Sequence, residues 1–202
     1  MIATTGRRGE VSDWLATHGV SIREHLGASP NIVYFTRFYQ LADGEEFPTT
    51  GTAPGRGRAG VFCGVSPADN GTYSVIVAVD SGDSEMRSYL QSPASFEAVA
   101  RLFPESEPWL RPGLAEPVTG VNVMAGLLNR TRSLLTETGD PILEGFHCLG
   151  DAHTVSNPLY GRGCTLAAIQ AVELAYAFRH HPGDPDARAR VYGEANSRLV
   201  EP

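Results

Sequence analysis

Lysine is absent from this chain of 202 residues, and all 16 of its basic residues are arginine. Against 23 Asp and Glu they leave a formal charge of -7. That balance argues against a chain-wide surface for nucleic acid or an anionic membrane. Cysteine is scarce: Cys63, Cys148 and Cys164 are odd in number and form no Cys-x-x-Cys. They exclude a disulfide framework and a thiolate zinc site, and they fit a reducing compartment. Long apolar runs are missing too. No stretch approaches the length of a membrane span, and residues 1–11 lack the apolar centre of a secretory signal. The expectation is a cytoplasmic protein. What is present, 42% hydrophobic and 19% charged residues, suffices for a globular core without metal or disulfides.

Read along the chain, residues 10–18 form a short helix with Ser12 or a neighbour as cap, Trp14 and Leu15 inward, and Gly19 as its stop. Residues 31–41, rich in β-branched and aromatic side chains, read as a strand. Residues 49–58, rich in Gly, Pro and Thr, read as loop. Residues 61–65 and 72–79 flank an Asn70-Gly71 pair, which supplies the positive φ of a tight hairpin. The second of these strands has no fully polar face, as expected of a strand covered on both sides. Residues 84–90 and 93–103 read as helices, the latter with Phe96, Val99, Ala100 and Phe103 on one face. Residues 115–128 and 128–135 suggest a further antiparallel pair, 142–149 a short buried strand, and 164–180 and 185–199 two helices. The fold class is therefore mixed α+β: an antiparallel sheet, then a strand–loop–helix unit. Arg37, on the aromatic-rich strand, reads either as a contact for an anionic substrate or as a salt-bridged residue.

Two glycine-rich motifs need separating. Gly55-Arg56-Gly57-Arg58-Ala59-Gly60 satisfies the Gly-x-Gly-x-x-Gly pattern, but a loop precedes it and a strand follows. A dinucleotide site needs a strand before and a helix after, so this segment reads as a flexible loop. The segment 145–152 has the coherent context. A buried strand delivers Asp151 to its C-terminal end, where open α/β sheets bind ligands. Twelve residues of loop follow, with Asn157-Pro158 and Gly161-Arg162-Gly163, and a helix opens at Cys164. Its unpaired N–H groups and partial positive charge suit an electron-rich or anionic ring edge. From the residues alone, the same pattern also reads as a structural turn in which Asp151 caps the loop. Asp151-x-His153 with His147 lacks a third suitably spaced ligand, so no metal site is expected.

The spacing of Gly150-Asp151-Ala152, Pro158, Gly161-x-Gly163 and a helix resembles the second flavin fingerprint of FAD-dependent aromatic monooxygenases and related oxidoreductases. The longer string through Asn157-Pro-Leu-Tyr-Gly-Arg-Gly-Cys164 resembles a bacterial branch of those enzymes. Thr5-Gly6-Arg7-Arg8 resembles the stretch after their middle flavin/NADPH motif, and the 34–39 strand and the Asn70-Gly71 hairpin are similar to their substrate-side sheet. This resemblance implies residues 1–30 as a remnant of an FAD-binding domain, 31–135 as a substrate-domain sheet, and 136–202 as the C-terminal flavin-binding unit. It implies an FAD-dependent oxidoreductase, monooxygenase-like, acting on a small organic molecule with NAD(P)H as reductant. Asp151 would then hydrogen-bond a ribityl hydroxyl, Pro158 would lie against the isoalloxazine edge, and backbone groups of Gly161, Gly163 and Cys164 would face the N1–C2 carbonyl end of the ring.

The departures from the family pattern carry weight. No Gly-x-Gly-x-x-Gly follows an N-terminal strand, so the AMP half of FAD has no expected site. Ala3 stands where relatives commonly have aspartate, and His153 comes one place early. The Trp-x-Trp-x-Ile-Pro motif of flavin halogenases is missing. The alternative expectation is thus a non-catalytic small-molecule-binding or vestigial fragment, or one half of a split flavoprotein. Self-association or a complementing N-terminal half would be its partner.

Overall fold

Alternating β-branched and aromatic side chains around an Asn-Gly pair produce the largest element of this fold, an antiparallel meander. The structure, a computed structural model, describes residues 1–49, 55–158 and 161–200, apart from the Val200 side chain. In chain order the first elements are β1 (Ile2–Ala3), α1 (Val11–Ala16), β2 (Arg23–Leu26), β3 (Ile32–Leu41), β4 (Gly55–Arg58), β5 (Val61–Pro67) and β6 (Thr72–Asp80). Then come α2 (Ser84–Tyr89), α3 (Pro93–Ala100), β7 (Ala115–Pro117), β8 (Asn122–Met124), β9 (Arg130–Ser133), β10 (His147–Cys148), β11 (Thr154–Val155), α4 (Gly163–His180) and α5 (Pro185–Val200). They form two compact units, one of residues 31–127 and one in which residues 1–30 join 128–202. The mixed α+β class is as the sequence implied.

In the 31–127 unit a six-stranded sheet runs β4-β5-β6-β3-β7, with β8 also pairing β3. Asn70 (φ 54°) and Gly71 (φ 68°) both sit in the left-handed region, which closes the β5–β6 hairpin at the expected place. One face of the sheet carries Val33, Phe35, Val75, Val77 and Tyr73 into a core with Phe96, Ala100 and Phe103. Pro93 starts α3 at its first turn, where a missing N–H costs nothing. Tyr39 stacks on Tyr73, and Trp109 leans on both Tyr73 and Phe47. The other face carries Tyr34, Ala78 and Leu127 with Ile32, Phe62 and Ile76, so β6 is covered on both sides as its pattern implied. Arg37 is paired with Glu97 at 2.6 Å, and its Nε donates to the Thr119 carbonyl. Its structural reading therefore holds in this fold.

In the other unit β1 and β10 pair in parallel, Ile2 opposite His147 and Ala3 opposite Cys148. A second, antiparallel sheet has the order β11-β9-β2. Val11 and Leu15 pack with Phe146, Cys148 and Ala152. Helices α4 and α5 bring Leu174, Ala177 and Tyr192 together, and Tyr192 donates to the Cys148 carbonyl at 2.7 Å. No helix among the described residues is long and apolar enough to cross a membrane.

Several local expectations are corrected. Residues 55–58 are strand, not loop: β4 pairs β5 from Gly55↔Gly64 to Arg58↔Val61, around a two-residue turn at Ala59 and Gly60. Gly55 lets the Phe62 ring lie against the strand: a Cβ there would be 2.3 Å from it, so the ring would have to shift. The rest of the expected loop, residues 50–54, lies outside the described residues. Residues 115–128 and 128–135 do not pair with each other. β7 and β8 both join β3, whereas β9 joins β2 and β11, so 128–135 lies with the unit that contains the C-terminus. Of 142–149 only His147–Cys148 is strand, since Gly145 turns the chain at φ 67°. Trp14 is exposed and Val11 takes the inward place. Ser12 does not cap α1; its hydroxyl donates to Glu24.

Candidate functional site

After β10 the chain stays extended at Leu149 and then turns at Gly150, whose φ of 62° a side chain would oppose. The turn Gly150–Ala152 is a single 3-10 turn carrying Asp151, and the His153 N–H closes it on the Gly150 carbonyl at 2.8 Å. The loop expected between Asp151 and the helix thus contains a short strand, β11. Gln170, fully buried on α4, accepts from the Gly150 N–H at 2.8 Å. Asp151 itself is half-buried. A Cβ at Gly163 would be 4.0 Å from its Oδ1, so the carboxylate lies beside the first turn of α4.

Among the described residues, no side chain caps the start of α4. Its N-cap is Arg162 and makes no side-chain capping bond, because a guanidinium has donors and no acceptor. Among the described residues no side chain accepts from the first N–H groups of this 18-residue helix, and its start carries about half a positive charge. Gly161 (φ 62°) closes a turn onto the Pro158 carbonyl at 3.0 Å, and a Cβ there would meet no atom within 4 Å. Pro158, Gly161 and Cys164 are exposed, and Gly163 is half-buried. Asp151 and Gly163 are thus brought together at the strand end and helix start. Pro158, Gly161 and Cys164 flank them along the turn, with Leu159 and Tyr160 outside the described residues.

Two buried histidines back this region. Burial, helped by the Arg132 charge, pushes His153 down to about 4. Burial, with the chain's amino terminus and Arg188, does the same to His147, also to about 4. Both are neutral imidazoles near pH 7. His153 Nδ1 lies 2.7 Å from the Thr154 hydroxyl and 3.3 Å from the Gln170 amide nitrogen. Burial raises Cys63 and Cys148 to about 11, so neither is a thiolate. Among the described residues no three His, Cys, Asp or Glu converge as metal ligands. His180 faces the Tyr176 carbonyl at 2.9 Å near the end of α4, where a basic side chain suits the helix dipole.

Arg132 and Gln170 were not legible as site residues. Arg132 reads as an ordinary polar position of a strand. Gln170 could have been noticed as the polar member of the inward row Gln170, Leu174 and Ala177.

The residues fit the ring and ribityl half of a flavin. An acceptor carboxylate stands beside an uncapped helix start, and the glycine turn leaves open space where a side chain would intrude. No protein-family model and no curated protein matches the chain. Solved structures do. The flavin-dependent halogenase CmlS aligns over 98% of this chain and 34% of its own, with 21% identity and a TM-score of 0.66. The fold is that of the C-terminal part of FAD-dependent halogenases and hydroxylases. The myxobacterial chondrochloren halogenase CndH aligns over 98% of this chain and 43% of its own (18% identity, TM-score 0.66). Aklavinone-11 hydroxylase, seen with FAD and aklavinone, aligns over 90% of this chain and 31% of its own (15% identity, TM-score 0.60). The chain therefore spans between about a third and under a half of these proteins. Halogenases and hydroxylases share the fold, so the fold alone does not choose between their chemistries.

Proposed function

We propose that this chain carries the ring-side half of the cofactor site of an FAD-dependent oxidoreductase, monooxygenase-like and acting on a small organic substrate. The observation that carries the reading is the Asp151 carboxylate beside the uncapped start of α4, in a fold shared with FAD-dependent enzymes. Asp151 would accept from a ribityl hydroxyl. The helix start, with the Gly161–Cys164 backbone, would hold the N1–C2 carbonyl end of the ring, and its partial positive charge favours the negative charge that reduction places there. Pro158 would cover the ring edge. When bound, the flavin supplies the hydride and oxygen chemistry, with NAD(P)H as the reductant. The protein orients the ring and keeps water from it.

Oxygenation is preferred to halogenation because Trp14 and Trp109 lie far apart in sequence and share no motif. The reading assigns residues to the ring and ribityl half of the cofactor, and the glycines of Gly55–Gly60 serve a hairpin. Riboflavin, FMN and FAD should therefore bind with similar affinity. Fluorescence titration tests this: all three flavins are quenched by the chain, and Asp151→Asn weakens each about tenfold or more, as expected for a hydrogen bond to a charged group. Absence of quenching with every flavin at high protein concentration overturns the proposal.

A further inference from the structure

Arg132 is almost fully buried, with a side-chain exposure of 2%. Each edge of its guanidinium is engaged. Nε donates to Glu24 at 2.8 Å and to the Ser12 hydroxyl at 3.2 Å. Nη1 donates to the Ala152 carbonyl at 2.7 Å, and Nη2 to the Gly9 carbonyl at 3.4 Å. The Arg132 backbone N–H donates to the His153 carbonyl at 2.9 Å. One side chain thus joins four places: the loop ahead of α1, Ser12 on α1, the acid on β2, and the carbonyl of Ala152, the residue after Asp151.

We infer that Arg132 is a positioning residue for the candidate flavin site, fixing the orientation of Asp151 by holding the carbonyl next to it; this rests on the function proposed above. Across the 3-10 turn the His153 N–H donates to the Gly150 carbonyl. The turn's two ends are held from outside, Gly150 by Gln170 and Ala152 by Arg132. Among the described residues none hydrogen-bonds the Asp151 carboxylate, so its direction is set by the backbone that these two residues hold. A planar, five-donor fork is the side chain that can meet an acid, a hydroxyl and two carbonyls in different directions. A lysine ammonium is a point charge on a flexible stem and would keep the Glu24 pair while giving up the Ala152 carbonyl. The same contacts tie Gly9, just beyond the Gly6-Arg7-Arg8 turn, to the Asp151 turn. Arg132 thus adds a side-chain link between these two parts of the chain to the β1–β10 pairing.

The test uses Arg132→Lys in the full chain, with Val191→Ala, on α5 against Leu174, Ala177 and Tyr192, as a variant destabilised elsewhere in the same unit. Amide hydrogen exchange without flavin is read at Gly150 and His153, and riboflavin affinity is read by fluorescence. Arg132→Lys should speed exchange at both amides and weaken riboflavin binding at least tenfold. Val191→Ala, which loses packing away from the Asp151 turn, should leave affinity within twofold. Unchanged exchange at Gly150 and His153 in Arg132→Lys overturns the inference whether or not flavin binds. So does equal riboflavin affinity in Arg132→Lys and the parent chain. If the parent chain binds no flavin, the functional reading of the site falls, and the exchange data still decide whether Arg132 holds the turn.

Discussion

Ala59 and Gly60 form the β4–β5 turn with φ of 51° and 78°. Glycine adopts this region freely, whereas alanine pays roughly 1 kcal/mol because its Cβ crowds the backbone. Asparagine tolerates the left-handed region better and is the residue preferred before glycine in such turns. Ala59→Asn should therefore stabilise the protein by about 0.5–1 kcal/mol, seen as a higher urea midpoint with an unchanged slope. An unchanged or lower midpoint would show that the alanine is not strained. The Gly-x-Gly-x-x-Gly string here illustrates what a motif alone conveys. Its context read as a flexible loop, whereas the glycines serve a close approach to Phe62 and a tight turn.

Among the elements, those with a strong internal signal were legible. The β5–β6 hairpin was set by Asn70-Gly71, α3 by its Pro93 start and apolar face, and α4 and α5 by length. Elements whose identity depends on a distant partner were not. β7, β8 and β9 are three or four residues each, and nothing in such short runs says whether they join β3 or β2. β2 is exposed throughout and shows no alternation at all. In the candidate site, the Asp151 and Gly161–Cys164 pattern could be read because turn glycines and a helix start leave a mark in sequence. The groups that support it, Gln170 and Arg132, could not, because a buried polar side chain looks like any polar residue until its partner is known. Gln170→Leu should leave the Gly150 N–H unsatisfied, costing about 1–3 kcal/mol in urea unfolding and weakening flavin binding. Gln170→Glu keeps an acceptor at that place and should recover most of the flavin affinity. Equal behaviour of the two variants would remove Gln170 from the account.

At the scale of the whole molecule, stability depends on pH through the buried histidines. Both have folded-state values of about 4 against an ordinary 6.5, so below 6.5 the unfolded chain binds protons that the folded chain refuses. Their contribution is complete above about pH 6.5, is lost as pH falls towards 4, and is of order 3 kcal/mol for each. Glu24 adds to the loss at lower pH. Burial works to raise its carboxyl, but hydrogen bonds from Ser12 and Arg132 hold it below its usual value. Urea midpoints should fall steeply between pH 6.5 and 4.5, and less steeply in His147→Phe. A flat profile over that range would mean that the imidazoles are free to charge.

The central claim, that a flavin ring seats at the start of α4, has a site-specific reporter in Cys164. It is the exposed cysteine, whereas Cys63 and Cys148 are buried and held protonated at about 11. In the folded chain a disulfide reagent should modify one thiol per molecule, identified as Cys164 by peptide mass. Saturating riboflavin or FAD should slow that modification about tenfold, with little protection in Asp151→Asn. A Cys164 rate that does not change in the presence of saturating flavin would contradict the account.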